Sequence, residues 1–233
     1  MTVKKWALYA FWLVMPHLEA VITVTNTNIS GPGSLDAAVT SANSSPQTIV
    51  FDPSLAGQDF NMPGLLSISN TYTIDGRSIG SVTIRSRGVE ILAGSPSLLE
   101  VALVTGGDFN NNTSGTTTLQ LRNFGGWYSG LNLNNGAITL ASSNSLGGGA
   151  LVFSNGTTLN LNSGVSQINN MTLAGTDTIS VASGTGTLQG ILSGTGSLTK
   201  TGGGILRLSG VNTYTGNTSL SAGAITLGNS SGL

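Results

Sequence analysis

The chain has 233 residues, 34 of them glycine, with only 7% charged residues and a formal net charge of −1. So small a charge implies no strong attraction to nucleic acid or anionic lipid, and the absence of cysteine excludes disulfides and thiolate metal sites. An apolar content of 39% is too high for a disordered chain, while the abundant Gly, Asn, Ser and Thr disfavour helix.

In chain order, Lys4 and Lys5 precede an apolar stretch from Trp6 to Met15, which Pro16 ends. That run is too short to span a membrane. With Ala20 as a small residue for cleavage, residues 1–20 read as a signal peptide, an uncleaved anchor or buried strand being the alternative. Val21 to Val24 reads as a strand, and Gly31-Pro32-Gly33 as a turn. One helix is expected next: Leu35, Ala38, Val39 and Ala42 share a face, Ser34 is placed to cap it, and Asp36 lies in its first turn. Thr48 to Phe51 returns to strand. A helix so early in a chain of strands is suited to covering an otherwise open sheet end.

The stretch 65–125 holds Asp75, Arg77, Arg85, Arg87, Glu90, Glu100, Asp108 and Arg122, with strands suggested at Val82/Ile84 and Leu119/Leu121. From about 130 onwards apolar residues recur as alternating pairs: Leu131/Leu133, Ile138/Leu140, Leu151/Phe153, Leu159/Leu161, Met171/Leu173, Ile179/Val181, Leu206/Leu208 and Ile225/Leu227. Period-two alternation puts one face inside and one outside, and the Gly- and Asn-rich spacers are too short for crossover helices. A sandwich or barrel could use such strands. The restatement of Gly136-Ala137-Ile138-Thr139-Leu140 as Gly223-Ala224-Ile225-Thr226-Leu227, 87 positions later, favours a solenoid. The expected fold is all-β: a right-handed parallel β-helix with coils of roughly 20–25 residues and a short N-terminal capping helix. Outward Thr, Ser and Asn are expected to form hydrogen-bonded ladders along it.

The run from Gly190 to Leu227 resembles the autotransporter-associated β-strand repeat. Leu198-Thr199-Lys200, Asn212 and Tyr214-Thr215-Gly216 fall in place in that family's pattern. Residues 22–51 are similar to the opening segment of large bacterial surface β-helix proteins, with Asp36 where Arg is common. Gly148-Gly149-Ala150-Leu151 resembles a motif of polymorphic outer-membrane proteins. The resemblance implies a pectin-lyase-like β-helix divided into a cap with first coils over 21–125 and a repeat region, cut short, over 126–233. It further implies a passenger carried to the bacterial surface by a C-terminal β-barrel translocator that this chain lacks.

No chemistry stands out. His17 is the only histidine and falls in the expected signal, so a Ser-His-Asp or Cys-His arrangement and the usual zinc sites are not expected. Lys200 is the lone lysine after that segment and belongs to the repeat pattern. Gly194-Thr195-Gly196 and Gly202-Gly203-Gly204 read as turns, since no Gly-Lys-Ser/Thr follows. Asp75, Arg77, Arg85 and Arg87 form the best polar cluster, and with Glu90, Glu100 and Asp108 could supply a calcium-binding set beside an Arg base, as in β-helical polysaccharide lyases. Trp127, Tyr128 and Tyr214 could stack on sugars. The leading expectation is a non-enzymatic exported stalk or adhesin with no catalytic, cofactor-binding or metal-ligating residues, facing an unidentified host or matrix ligand and no nucleic acid. A carbohydrate-active β-helix enzyme and a non-functional gene fragment are the alternatives.

Overall fold

A computed structural model describes residues 20–105, 107–121, 130–144, 146 and 148–229. The expected signal segment with His17 lies outside the described residues except for Ala20, as do Arg122, Trp127 and Tyr128.

The chain coils into a parallel β-solenoid whose walls are three sheets. The first wall stacks ten strands: Val21–Val24, Thr48–Phe51, Thr73–Asp75, Ser97–Thr105, Thr116–Leu121, Ala137–Leu140, Thr158–Leu161, Thr176–Val181, Ser197–Thr201 and Thr218–Leu220. The second runs from Leu66–Ile68 through Val89–Ile91, Phe109–Asn111, Gly130–Leu133, Ala150–Phe153 and Met171–Leu173 to Leu192–Gly194. The third wall differs between the halves. Early on it is Asp59–Asn61 and Val82–Ser86, joined to the end of Ser97–Thr105. Later it is Ser166–Gln167, Thr185–Leu188, Ile205–Leu208 and Ala224–Leu227. Among the described residues every strand pairing is parallel, and the register advances 19 to 21 residues per turn in the later half, as by 21, 20 and 21 from Ala137 to Thr158 to Thr178 to Thr199 and by 19 from Ile205 to Ala224. Ten strands at ~4.8 Å spacing give a rod of about 43 Å.

The alternating pairs read from the sequence are the inward positions. Ile138, Leu159 and Ile179 stack in one column, and Leu140, Leu161 and Val181 in the next, all almost fully buried. Burial of each such side chain contributes about 1.5–3 kcal/mol. Outward polar residues form the expected ladders. The Asn132 amide donates to Asn110 at 2.8 Å, Asn134 to Asn112 at 2.8 Å, and Asn160 to Thr139 at 3.2 Å, each one turn apart.

The helix, α1 (Leu35–Ser44), buries the four residues expected of it, and Ser34 Oγ accepts the Ala37 N–H at 3.2 Å. It packs against the strands beginning at Val21, Thr48 and Leu66, which places it over the first turns.

The 87-residue restatement has a different meaning from a structural period. Ala137–Leu140 lies in the first wall, but Ala224–Leu227 lies in the third. What the copies share is local. Gly136 has φ +62° and Gly223 φ +74°, a left-handed conformation that side chains rarely adopt. A Cβ on Gly136 would sit 2.4 Å from the carbonyl oxygens of Gly115 and Thr113, and one on Gly223 would sit 2.2 Å from that of Gly204. The pentapeptide therefore encodes a tight corner followed by a strand, usable in either wall.

Candidate functional site

The solenoid disperses the polar cluster suggested by the sequence. Arg77, at the start of a short 3₁₀ turn after the strand Thr73–Asp75, clamps the Asp75 carboxylate with its Nη2 at 2.6 Å. The Arg77 backbone N–H also donates to Asp75 at 2.9 Å. These bonds hold the Asp75 carboxyl below the usual carboxylate range. Arg85 instead reaches one turn back to Asp59, at 2.7 Å. Arg87 is exposed at a corner.

The remaining acids are held separately by amides on the following turn. Glu100 accepts from Gln120 at 2.7 Å, Glu90 from Asn112 at 3.2 Å, and Asp108 from Asn132 at 3.3 Å. Asp75 and Glu100 belong to the first wall, Glu90 to the second. Among the described residues no three Asp, Glu, His or Cys side chains come within metal-binding reach of one another. Glu100 is unusual in another way. Its φ is +53°, because the strand Ser97–Thr105 bulges there while passing from the neighbour Thr73–Asp75 to the neighbour Val82–Ser86.

Among the described residues, two charged side chains sit inside the coil. The Asp177 carboxylate accepts the N–H and hydroxyl of Thr157 and the N–H of Gly175, each at 3.3 Å. Lys200 is fully buried in the column of Ile138, Leu159 and Ile179. Its ammonium donates to the carbonyls of Thr201, Gly202 and Ala222, the last at 3.3 Å. Burial pulls its pKa below the ordinary lysine value. Tyr214 packs against the core and shares a hydrogen bond with the Thr218 hydroxyl. Both Lys200 and Tyr214 therefore serve the coil.

A groove of about 420 Å³ lies on the first turns, a feature that the sequence reading missed. Thr48, Thr73 and Ser97 line it as a column on successive turns, with Thr71 and Ser95 alongside. Tyr72 forms part of its wall, but the Tyr72 hydroxyl is buried with no hydrogen-bond partner among the described residues. Burial pushes that phenol well above its ordinary pKa, so it stays neutral. Asn70-Thr71-Tyr72-Thr73 gives no hint of this in sequence, since only the stacking of distant turns assembles the lining. The groove offers hydrogen bonds and no ionised group, and so no acid, base or nucleophile pair.

The match to a known family falls on the later turns. Residues 198–227 match the passenger-associated-transport-repeat family. They take in the buried Lys200, the corner at Gly223 and the strands to Leu227. The match is confined to that stretch, about an eighth of the chain. The chain is similar to the adhesin BmaC autotransporter of Brucella suis biovar 1 (strain 1330), at 44% identity over 66 residues. That alignment covers 28% of this chain and 2% of the adhesin, so the chain spans a very small part of the curated relative it matches. No solved structure gives a significant match. The matched residues 198–227 thus belong to the parallel solenoid that the alternating pairs predict.

Proposed function

We propose that this chain acts at the bacterial surface as a non-catalytic β-helical passenger segment, a stalk that also presents adhesive surface. The observation that carries the reading is the match to a passenger repeat at residues 198–227, set on a stack whose preceding turns carry outward hydroxyl and amide ladders. The named adhesin among its relatives points the same way. A stack of this kind keeps a constant cross-section, so each turn extends reach without creating a central cavity. The dispersal of Asp75, Glu90, Glu100 and Asp108, each tied to its own partner, favours this reading over a lyase-like enzyme.

The test is display. The chain, joined to an autotransporter β-barrel in a bacterial host, is expected to become accessible to external protease and antibody. It is also expected to raise adherence to host-cell matrix above that of the barrel alone. Retention inside the cell, or surface display with no gain in adherence, would sink the proposal. Release of unsaturated or reducing ends from acidic polysaccharides by the purified chain would count for the enzyme instead.

A further inference from the structure

We infer that the third wall of the later turns carries a binding groove for an acidic glycan, centred on Arg207. Three residues after position 122 are charged: Asp177, Lys200 and Arg207. The first two are fully buried, whereas Arg207 is exposed on the strand Ile205–Leu208. It is thus the one exposed charge among the described residues from 130 onwards. The ion pairs of the described residues, Arg77–Asp75 and Arg85–Asp59, belong to the early turns. Arg207 Nε donates to Ser209 Oγ at 3.3 Å, a long bond to a neutral group, and among the described residues no carboxylate pairs with the guanidinium.

The surroundings are built of hydrogen-bonding groups. Register stacks Ser166, Thr187, Arg207 and Thr226 in one outward column. Arg207 therefore interrupts a run of hydroxyls. Together with Gln189 and Ser209, the residues Ser166, Thr187 and Arg207 line a groove of about 530 Å³. Gln189 is held in place by donating to Ser166 Oγ at 2.9 Å.

These features select a ligand class. A guanidinium with free N–H donors matches a carboxylate or sulfate, which it binds through paired hydrogen bonds. The hydroxyl and amide groups around it match sugar hydroxyls, which both donate and accept. No apolar side chain lines the groove, so it lacks the anchors by which proteins and peptides dock. One cation is too few for nucleic acid, whose binding depends on several phosphate contacts. Carboxylated and sulfated sugars share the chemistry that the groove recognises.

The inference deepens the adhesive reading above and rests on it. The test uses the whole chain and three immobilised probes: oligogalacturonate for carboxylate, heparin oligosaccharide for sulfate, and dextran as the neutral control. Retention of one or both acidic probes, with dextran unbound, is expected, and the probe retained identifies the anion. Arg207→Gln should weaken binding at least tenfold on the order expected for a lost charge-assisted pair, and Thr187→Val should weaken it less. Arg77→Gln removes an exposed arginine at the other end and should leave binding unchanged. The inference is overturned by equal retention of dextran, by no retention of either acidic probe, by full binding in Arg207→Gln, or by equal losses in Arg207→Gln and Arg77→Gln. A chain that is displayed and adherent yet ignores all three probes defeats this inference alone.

Discussion

Lys200 occupies a place that neighbouring turns give to Ile138, Leu159, Ile179 and Leu220. Its aliphatic stem fills the column, and its ammonium ties together the carbonyls of Thr201, Gly202 and Ala222 at a corner. Desolvation lowers its folded pKa below the unfolded value of about 10.4. Between those two values the unfolded chain binds more protons than the folded one, so stability rises with pH. Urea unfolding followed as pH rises toward 10 should show that rise in the wild type. Lys200→Met keeps the volume and removes the titration, and should flatten the curve over the same interval. Tyr72 acts in the opposite sense above pH 10, because its raised folded pKa makes the unfolded chain lose the phenolic proton first. An unchanged slope in Lys200→Met would assign the dependence to other groups. The sequence pattern assigns Lys200 to the repeat, but alternation alone could not show it turned inward, since a lysine reads as an outside residue.

At the scale of elements, α1 has the clearest sequence signature and the most specific role. Leu35, Ala38, Val39 and Ala42 are buried, and Ser34 caps its first turn. Leu35→Ala should cost about 2–5 kcal/mol, and Ser34→Ala about 0.5–2 kcal/mol. Because turns of a solenoid touch only their neighbours, the damage should stay local. Amide exchange should accelerate in Val21–Val24, Thr48–Phe51 and Leu66–Ile68, with Thr176–Val181 unaffected. Uniform acceleration along the chain would contradict a neighbour-coupled stack. The strands between 65 and 125 were harder to read, for identifiable reasons. Leu66–Ile68 and Val89–Ile91 offer only two inward residues each. Asn111 points inward as a buried polar residue, satisfied by the Asn135 carbonyl and the Thr117 hydroxyl. The bulge at Glu100 changes which residues face inward partway along a single strand, so Leu98 is followed by Val101.

For the whole molecule, the controlling quantity is the register step, 20 or 21 residues along the later part of the first wall, and the 87-residue restatement hides it. Successive register steps carry Ala137 to Thr158, Thr178, Thr199 and Ser219, five positions short of Ala224. The exact sequence copy therefore enters the third wall, while the structural equivalents in the first wall share only inward apolar character. Identity in sequence marks a reusable corner; equivalence in the stack is set by spacing. The same long-range stacking explains why neither groove was legible: Thr48, Thr73 and Ser97, or Ser166, Thr187 and Arg207, meet only after the coil has turned.

If stacking alone couples the turns, energetic coupling must decay along the rod. Leu159 and Ile179 are direct register partners, both fully buried in one column. Ile74 is also fully buried but is reached from Val181, beside Ile179, only through Leu98, Leu119, Leu140 and Leu161. Five steps at ~4.8 Å place it about 24 Å away. Truncation of each residue to alanine should cost about 2–5 kcal/mol alone. The Leu159→Ala/Ile179→Ala pair should depart from additivity by about 0.5 kcal/mol or more, since each change enlarges the same cavity and lets its walls relax together. The Ile74→Ala/Ile179→Ala pair should add to within about 0.5 kcal/mol. Hydrogen-exchange free energies measured turn by turn give both cycles without requiring the solenoid to unfold in a single step. Strong coupling between Ile74 and Ile179 would mean that the rod behaves as one cooperative core, and the neighbour-only account of its stability would fail.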